Sequence, residues 1–166
     1  MDVEQFWSTP EAETHVFYSA VIAASVTGVV SGLVLHERGH MDTVAALYRT
    51  EGVAISWSMH FVHVFLVAIF FIGVLTLLGA VSRSIRVRLE SPLVAPVLIT
   101  LAGMIYATAI WAVVVATAMP LWLRFTSENA LALPYIHEQS LYAAILFGAV
   151  LGFVFALSFV LFSRGD

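Results

Sequence analysis

Along this chain the hydrophobic positions run in four long blocks, and nearly every charge falls in the short stretches between them. Segments 14–36, 52–82, 91–123 and 139–163 contain no Asp, Glu, Lys or Arg. A helix needs about 20 mostly apolar residues to cross a hydrocarbon layer, so each block holds one crossing and none holds two with a turn. The pattern predicts an all-α membrane protein, a four-transmembrane-helix bundle forming one domain over residues 1–166, with spans at 16–35, 56–80, 93–119 and 139–162. A tandem two-helix repeat is an alternative description, because the order span, longer connector, span recurs around a short basic turn. The two longer connectors echo each other, Thr43-Val-Ala-Ala-Leu-Tyr48 beside Asn129-Ala-Leu-Ala-Leu-Pro134-Tyr135.

Inside the blocks, small residues fall at helical spacing. Ala20, Ala24, Gly28 and Gly32 repeat every four residues in the first span, as do Ser140, Ala144, Gly148, Gly152 and Ala156 in the last, and each ladder contains a G-x-x-x-G. Such spacing aligns side chains along one stripe. In lipid, burying Leu against Leu gains little over burying it in acyl chains, so glycine stripes that let two backbones approach become the packing device. Spans one and four are therefore expected to join through Ala24, Gly28, Gly32, Ala144, Gly148 and Gly152. The second span is bulky, with Phe61, Phe65, Phe70 and Phe71, and the third offers Gly103, Ala107, Ala112 and Ala116.

Helix ends are marked as well. Thr9-Pro10-Glu11 and Ser91-Pro92 read as starts, each a capping hydroxyl ahead of proline at the first helical position. Pro120 is expected to end or kink the third span, since its ring lacks an N–H and clashes with the carbonyl of Ala116. Asp42-Thr43 ahead of Val44, Ala45, Leu47 and Tyr48 reads either as the cap of a short interfacial helix stopped near Gly52 or as a plain loop.

Composition narrows the class further. Hydrophobic residues make up 61% of the chain and charged ones 11%, with a mean hydropathy of +0.97, outside the range of soluble domains. Cysteine is absent, which removes disulfides, thiolate chemistry and Cys-held iron or zinc. A net charge of −4 leaves no basic face for nucleic acid. Segment 1–15 is acidic and lacks the basic start of a secretory leader, so the first helix is expected to be retained. Arg83, Arg86, Arg88 and Arg164 lie on the side of both termini, against Arg38, Arg49 and Arg124 on the other. The positive-inside rule then places both termini in the cytoplasm of a multi-pass cell-membrane protein. Trp122, Arg124 and Tyr135 suit the membrane–water boundary.

Candidate chemistry gathers at one end. His36-Glu37-Arg38-Gly39-His40 matches H-E-x-x-H, the spacing by which zinc hydrolases set two imidazoles on one helical face with Glu as base. Against this, Gly39 weakens a helix by about 1 kcal/mol relative to Ala. Arg38 also stands where zinc proteases keep uncharged residues, and no third ligand is marked. The alternative is a polar helix end whose His and Arg complement the helix dipole. His60 and His63, at i and i+3, share a face of the second span. Alternation of spans puts His36, His40, His60, His63 and His137 on one side, with Glu37, Glu51 and Glu138 near them in sequence. Ionisable groups within a bilayer mark sites by default.

His36, His40, His60 and His63 are thus the candidate metal ligands, with zinc as the ion; otherwise the chain has no cofactor and these rings serve as hydrogen-bonded packing elements. A b-type haem would need facing histidines on two helices at one depth, and the third and fourth spans offer none to match His60 and His63. No charge lies mid-span, as an ion-coupled carrier commonly requires.

Leu47-Tyr48, Glu51-Gly52, Trp57, His60 and His63 before an aromatic span resemble a known pattern, as do Pro134-Tyr135, Leu141, Gly148, Gly152 and Phe155-Ala156 later. They resemble the small four-span integral membrane proteins of haloarchaea grouped under a domain of unknown function. The Lys-free, acidic balance agrees with that resemblance, since it fits a high-salt cytoplasm; Arg49 departs from it, standing where glycine is expected in that group. The resemblance implies the fold and brings no activity, cofactor or catalytic residue. The residues point to a binding or interaction protein with a His-rich end, its partners the lipid bilayer and a second copy or another membrane protein. A metal-dependent membrane hydrolase using 36–40 and a small transporter subunit are the alternatives.

Overall fold

The computed structural model describes residues 10–82, 84–85, 91, 93–126 and 132–163. Helix α1 spans Pro10–Glu37, α2 Met41–Ala46, α3 Val53–Val81 and α4 Ala95–Ile110; a π-helical segment, Trp111–Ala118, joins α4 to α5 at Met119–Thr126, and α6 spans Glu138–Phe162. Four helical runs, Glu11–Glu37, Val53–Val81, Ala95–Thr126 and Glu138–Phe162, are long and apolar enough to cross a membrane. The all-α four-span architecture is the one expected, with the first helix starting earlier and the third ending later. Thr9 and Pro92, two of the expected start signals, lie outside the described residues, as do Arg83, Arg86, Arg88 and Arg164. The structure opens α4 at Ala95, where the Ser91 carbonyl accepts the N–H groups of Val94 (3.1 Å) and Ala95 (2.8 Å).

The backbones pack in the order α3, α1, α6, α4. Helices α1 and α6 run antiparallel: His15 and Tyr18 near the start of α1 lie with ring centroids 6.1 and 6.3 Å from that of Phe162 at the end of α6. At the other end Arg38 Nη1 donates to Gln139 Oε1 at 3.2 Å. Helices α3 and α4 meet through longer side chains, with Tyr106 donating its hydroxyl to the Val67 carbonyl at 2.9 Å and its ring 5.3 Å from Phe71. One buried cluster unites the four, with Ala24 from α1, Ala68 and Phe71 from α3, Ile99 from α4 and Leu151 and Phe155 from α6.

The glycine stripes do not meet each other, which corrects the expected pairing of spans one and four through them. Gly28 and Gly32 face α3: a Cβ on Gly28 would lie 2.5 Å from Phe61 Cε1, and one on Gly32 2.7 Å from Trp57 Cη2. Gly148 and Gly152 face α4: a Cβ on Gly148 would overlap the Gly103 carbonyl, and one on Gly152 would lie 2.8 Å from Thr100 Cα. A small stripe specifies a close approach without naming the neighbour. On α1 the groove receives aromatic knobs from α3; on α6 it receives the backbone of α4, which has its own glycine at the crossing. Ala24 is buried in the shared cluster and Ala144 is half-buried.

Helix α1 stops inside the H-E-x-x-H segment. Gly39 takes φ +68°, its N–H bonds the His36 carbonyl (3.0 Å) and His40 N–H bonds that of Leu35 (2.8 Å). These two bonds form a Schellman closure with glycine at its left-handed position. The same closure follows α2, where Arg49 N–H bonds the Ala46 carbonyl (3.0 Å) and Thr50 N–H that of Ala45 (3.2 Å). Here the left-handed residue is Arg49, at φ +56°. Glycine alone adopts that conformation without a Cβ penalty. The arginine is held by its own side chain, whose Nη2 donates to the Thr126 carbonyl at the end of α5 (3.2 Å), where a cation also complements the helix dipole. Arg49→Gly is expected to be more stable than Arg49→Ala by about 1 kcal/mol, because both lose that bond and only alanine keeps the backbone penalty. Thermal unfolding in detergent checks this; equal melting temperatures would remove the strain.

The expected short helix after the first span exists as α2, but its N-cap is His40 and not Asp42; Thr43 Oγ1 donates to the His40 carbonyl at 2.6 Å. Pro120 does not end the third span. Eight π-helical residues precede α5 there, and the helical run continues to Thr126. Proline cannot serve the Ala116 carbonyl, and Tyr135 N–H from the second connector bonds it instead at 2.8 Å. Among the described residues, α2 is a helix separate from the first span, whereas α5 is continuous with the third.

Candidate functional site

The bond-forming polar groups concentrate at the end where α1 stops and α3 and α6 begin. His60, 7% exposed, sits between α3 and α1 with Nε2 3.1 Å from the Gly28 carbonyl and 3.1 Å from Ser31 Oγ. A carbonyl can only accept, so Nε2 bears the proton. The Ser31 hydroxyl gives its own hydrogen to the Thr27 carbonyl at 2.6 Å, leaving its oxygen to accept from the same ring. Partner chemistry thus assigns the Nε2–H tautomer and leaves Nδ1 as the open lone pair. The ring is held edge-on by Trp57 (6.2 Å, 90°) and Phe61 (6.1 Å, 64°), the two residues that fill the glycine groove of α1.

His63, a helical turn on, is half-buried, and its Nε2 is hydrogen-bonded to the Tyr48 hydroxyl, with the two rings stacked at 5.7 Å. Tyr48 belongs to the turn after α2. That turn is fixed from the opposite side by α5: Trp122 Nε1 donates to the Leu47 carbonyl at 3.0 Å, next to the Arg49–Thr126 bond. His137 is the N-cap of α6; its Nδ1 accepts from Ser140 N–H at 3.3 Å and its ring stacks on Tyr135 at 5.9 Å. Ser140 Oγ donates to the His137 carbonyl (2.7 Å) and accepts from Trp111 Nε1 (2.9 Å), tying α6 to the start of the π segment.

His36 and His40 stand outside this framework. Both are exposed, as is Glu37, and the His36 ring lies 6.3 Å from Trp57. Because α1 ends at Glu37 and Gly39 turns left-handed, the two imidazoles do not share the helical face that the zinc-hydrolase geometry requires. Among the described residues no three His, Asp or Glu side chains come together to hold a metal ion. The candidate ligands His36, His40, His60 and His63 therefore occupy one end of the bundle without forming one centre. The physical reason is that His60 faces α1, His63 faces the α2 turn, and the other pair lies beyond a helix terminus.

Reading the sequence did not single out Ser31, Tyr48 or Trp122 as bonding partners at this end. The available signals were Ser31 one turn from Gly28 and an indole and a phenol placed in the connectors. Two open, largely apolar creases lie elsewhere, of about 290 Å³ at Pro96, Thr100 and Phe153 and about 250 Å³ at Met104, Thr108 and Ile145. Comparison with protein-family models, curated proteins and solved structures gives no match to this chain.

Proposed function

We propose that this is a small membrane protein that recognises a partner through its His-bearing end and catalyses no reaction of its own. The observation supporting this is the use made of the rings: His60, His63 and His137 each engage a ring nitrogen in a bond that ties one segment of the fold to another or caps a helix. They build a rigid end instead of converging on a substrate. From that end the segment His36, Glu37 and His40 projects exposed, held in one conformation by the Gly39 closure. A fixed edge carrying imidazoles and a carboxylate suits recognition of a polar surface on a second membrane protein. With both termini in the cytoplasm, this edge faces away from it.

A photo-crosslinking side chain at position 37 or 40, irradiated in native membranes, is expected to give a discrete adduct that the same probe at lipid-facing Phe70 does not. Identical adduct patterns from all three positions would sink the reading. The H-E-x-x-H spacing favours one alternative, a zinc hydrolase, which elemental analysis separates. Purified protein is expected to hold no stoichiometric zinc, whereas one zinc per chain, lost in His36→Ala, would support the hydrolase.

A further inference from the structure

The third span overreaches its neighbours. Trp111 already stands beside the first turn of α6, its Nε1 2.9 Å from Ser140 Oγ, yet the helical run continues to Thr126. That continuation adds about four turns. The 16 residues of α4 and the 8 of α5 together measure roughly 36 Å before the π segment between them is counted, against about 30 Å of hydrocarbon. Helix α5 and residues 132–137 thus lie at or beyond the polar edge marked by Glu37, Arg38 and Glu138.

These segments are nonetheless rich in exposed apolar surface: Phe125 is 84% exposed, Ile136 74%, Trp122 54% and Leu133 41%. Hydrogen bonds tie both segments to the rest of the fold. Trp122 Nε1 is anchored on the Leu47 carbonyl, Arg49 on that of Thr126, and Tyr135 N–H on that of Ala116. The indole bond is informative in direction. It turns the one polar atom of the Trp122 side chain toward the protein, so what the ring presents outward is hydrocarbon.

We propose that α5 and residues 132–137 form an interfacial foot seated in the phospholipid headgroup layer, at its boundary with the acyl chains. Lipid is favoured over a soluble protein because the surface is continuous with the lipid-facing side of α4 through one unbroken helical run. Its residue types also fit: Trp and Tyr accumulate at this depth, and Trp and Phe suit the apolar face of a helix buried in the headgroup–acyl boundary. Arg49 stands close to Asp42 and Glu51 in sequence and Arg124 four residues before Glu128, so the mixed charge calls for no anionic headgroup, and a zwitterionic lipid suffices. Seated this way, the foot holds the α2 turn and Tyr48 over His63 at the membrane surface. This inference does not rest on the proposed recognition edge at 36–40.

The test uses single cysteines, which this Cys-free chain takes without background removal. Phe125→Cys, Ile136→Cys, Glu51→Cys and Phe70→Cys would each be spin-labelled and reconstituted in phosphatidylcholine vesicles. Collisional relaxation by oxygen, which partitions into lipid, would be compared with that by a water-soluble nickel chelate. Labels at 125 and 136 are expected to favour oxygen at least threefold over the label at 51 and to approach the ratio at 70. Ratios equal to that at 51 would put the foot in water and overturn the proposal. Shielding of 125 and 136 from both reagents would overturn it too, by showing that protein covers them. All four sites are exposed, so labelling should leave the fold intact.

Discussion

Gly148→Leu is expected to destabilise the bundle more than any other single change considered for its helix contacts. At this crossing α4 and α6 touch backbone to backbone. A Cβ built on Gly148 overlaps the Gly103 carbonyl and lies 2.7 Å from the Ala107 methyl, and the reciprocal Cβ on Gly103 lies 3.3 Å from Gly152 Cα. A helical carbonyl cannot step aside unless the helix moves with it. Alanine alone should therefore cost about 1–3 kcal/mol by overpacking, and leucine about 4 kcal/mol or more by forcing the helices apart. Gly28→Ala should cost less, because the obstacle there is the Phe61 ring, which can rotate. Gly73→Ala meets nothing within 4 Å and should gain about 0.5–1 kcal/mol from reduced backbone entropy. Phe70→Leu, at a residue 66% exposed on the outer face of α3, should be mild. Unfolding in mixed detergent micelles, followed by helical circular dichroism, ranks the set. Equal losses at Gly148, Gly28 and Phe70 would show that backbone contact is not what joins α4 to α6.

The ranking also shows where sequence reading reached its limit. Four charge-free blocks determine the number of crossings, because unpaired charge in hydrocarbon is too costly for any other arrangement to compete. The stripes at Gly28 and Gly148 likewise announce close approach. Which helix approaches depends on the rotation of each helix about its axis, and that rotation is set by the neighbours. Trp57 and Phe61 could as well have faced lipid, as Phe70 does.

At the helix ends each signal carries more than one structural meaning. Gly39 weakens a zinc-binding helix for the same reason that it ends α1, its readiness to take positive φ. Arg49, unexpected where glycine belongs, turns out to occupy a left-handed position and to be retained there beside Thr126. Pro120 did free a carbonyl, as its missing N–H requires, but the π segment and Tyr135 absorbed the defect without breaking the helix. The gathering of histidines at one end was legible from the alternation of spans. Their separation into structural and exposed groups was not, since it follows from which element each ring faces.

His60→Ala is the second large effect to expect, at about 2–3 kcal/mol. Two contributions add: the loss of hydrogen bonding to the Gly28 carbonyl and Ser31 Oγ in a medium without competing water, worth about 1 kcal/mol or somewhat more, and a cavity between α1 and α3 where the ring had packed. Glutamine separates them, since its amide N–H₂ reaches about as far as Nε2 and can donate to the same carbonyl. His60→Gln should recover about half of the loss, and His60→Leu, which refills the volume without a donor, should recover a different share. A double-mutant cycle with Ser31→Ala isolates the pair itself, with an expected coupling of about 0.5–1.5 kcal/mol. If Gln proved as damaging as Ala and the coupling were zero, the ring would be filler between two helices. The buried imidazole would then no longer explain why Gly28, its carbonyl partner on the α1 stripe, must lie so close to α3. A measurable coupling would make the small stripe and the histidine parts of one contact, in which the absence of a side chain at position 28 is what lets His60 reach the backbone of α1.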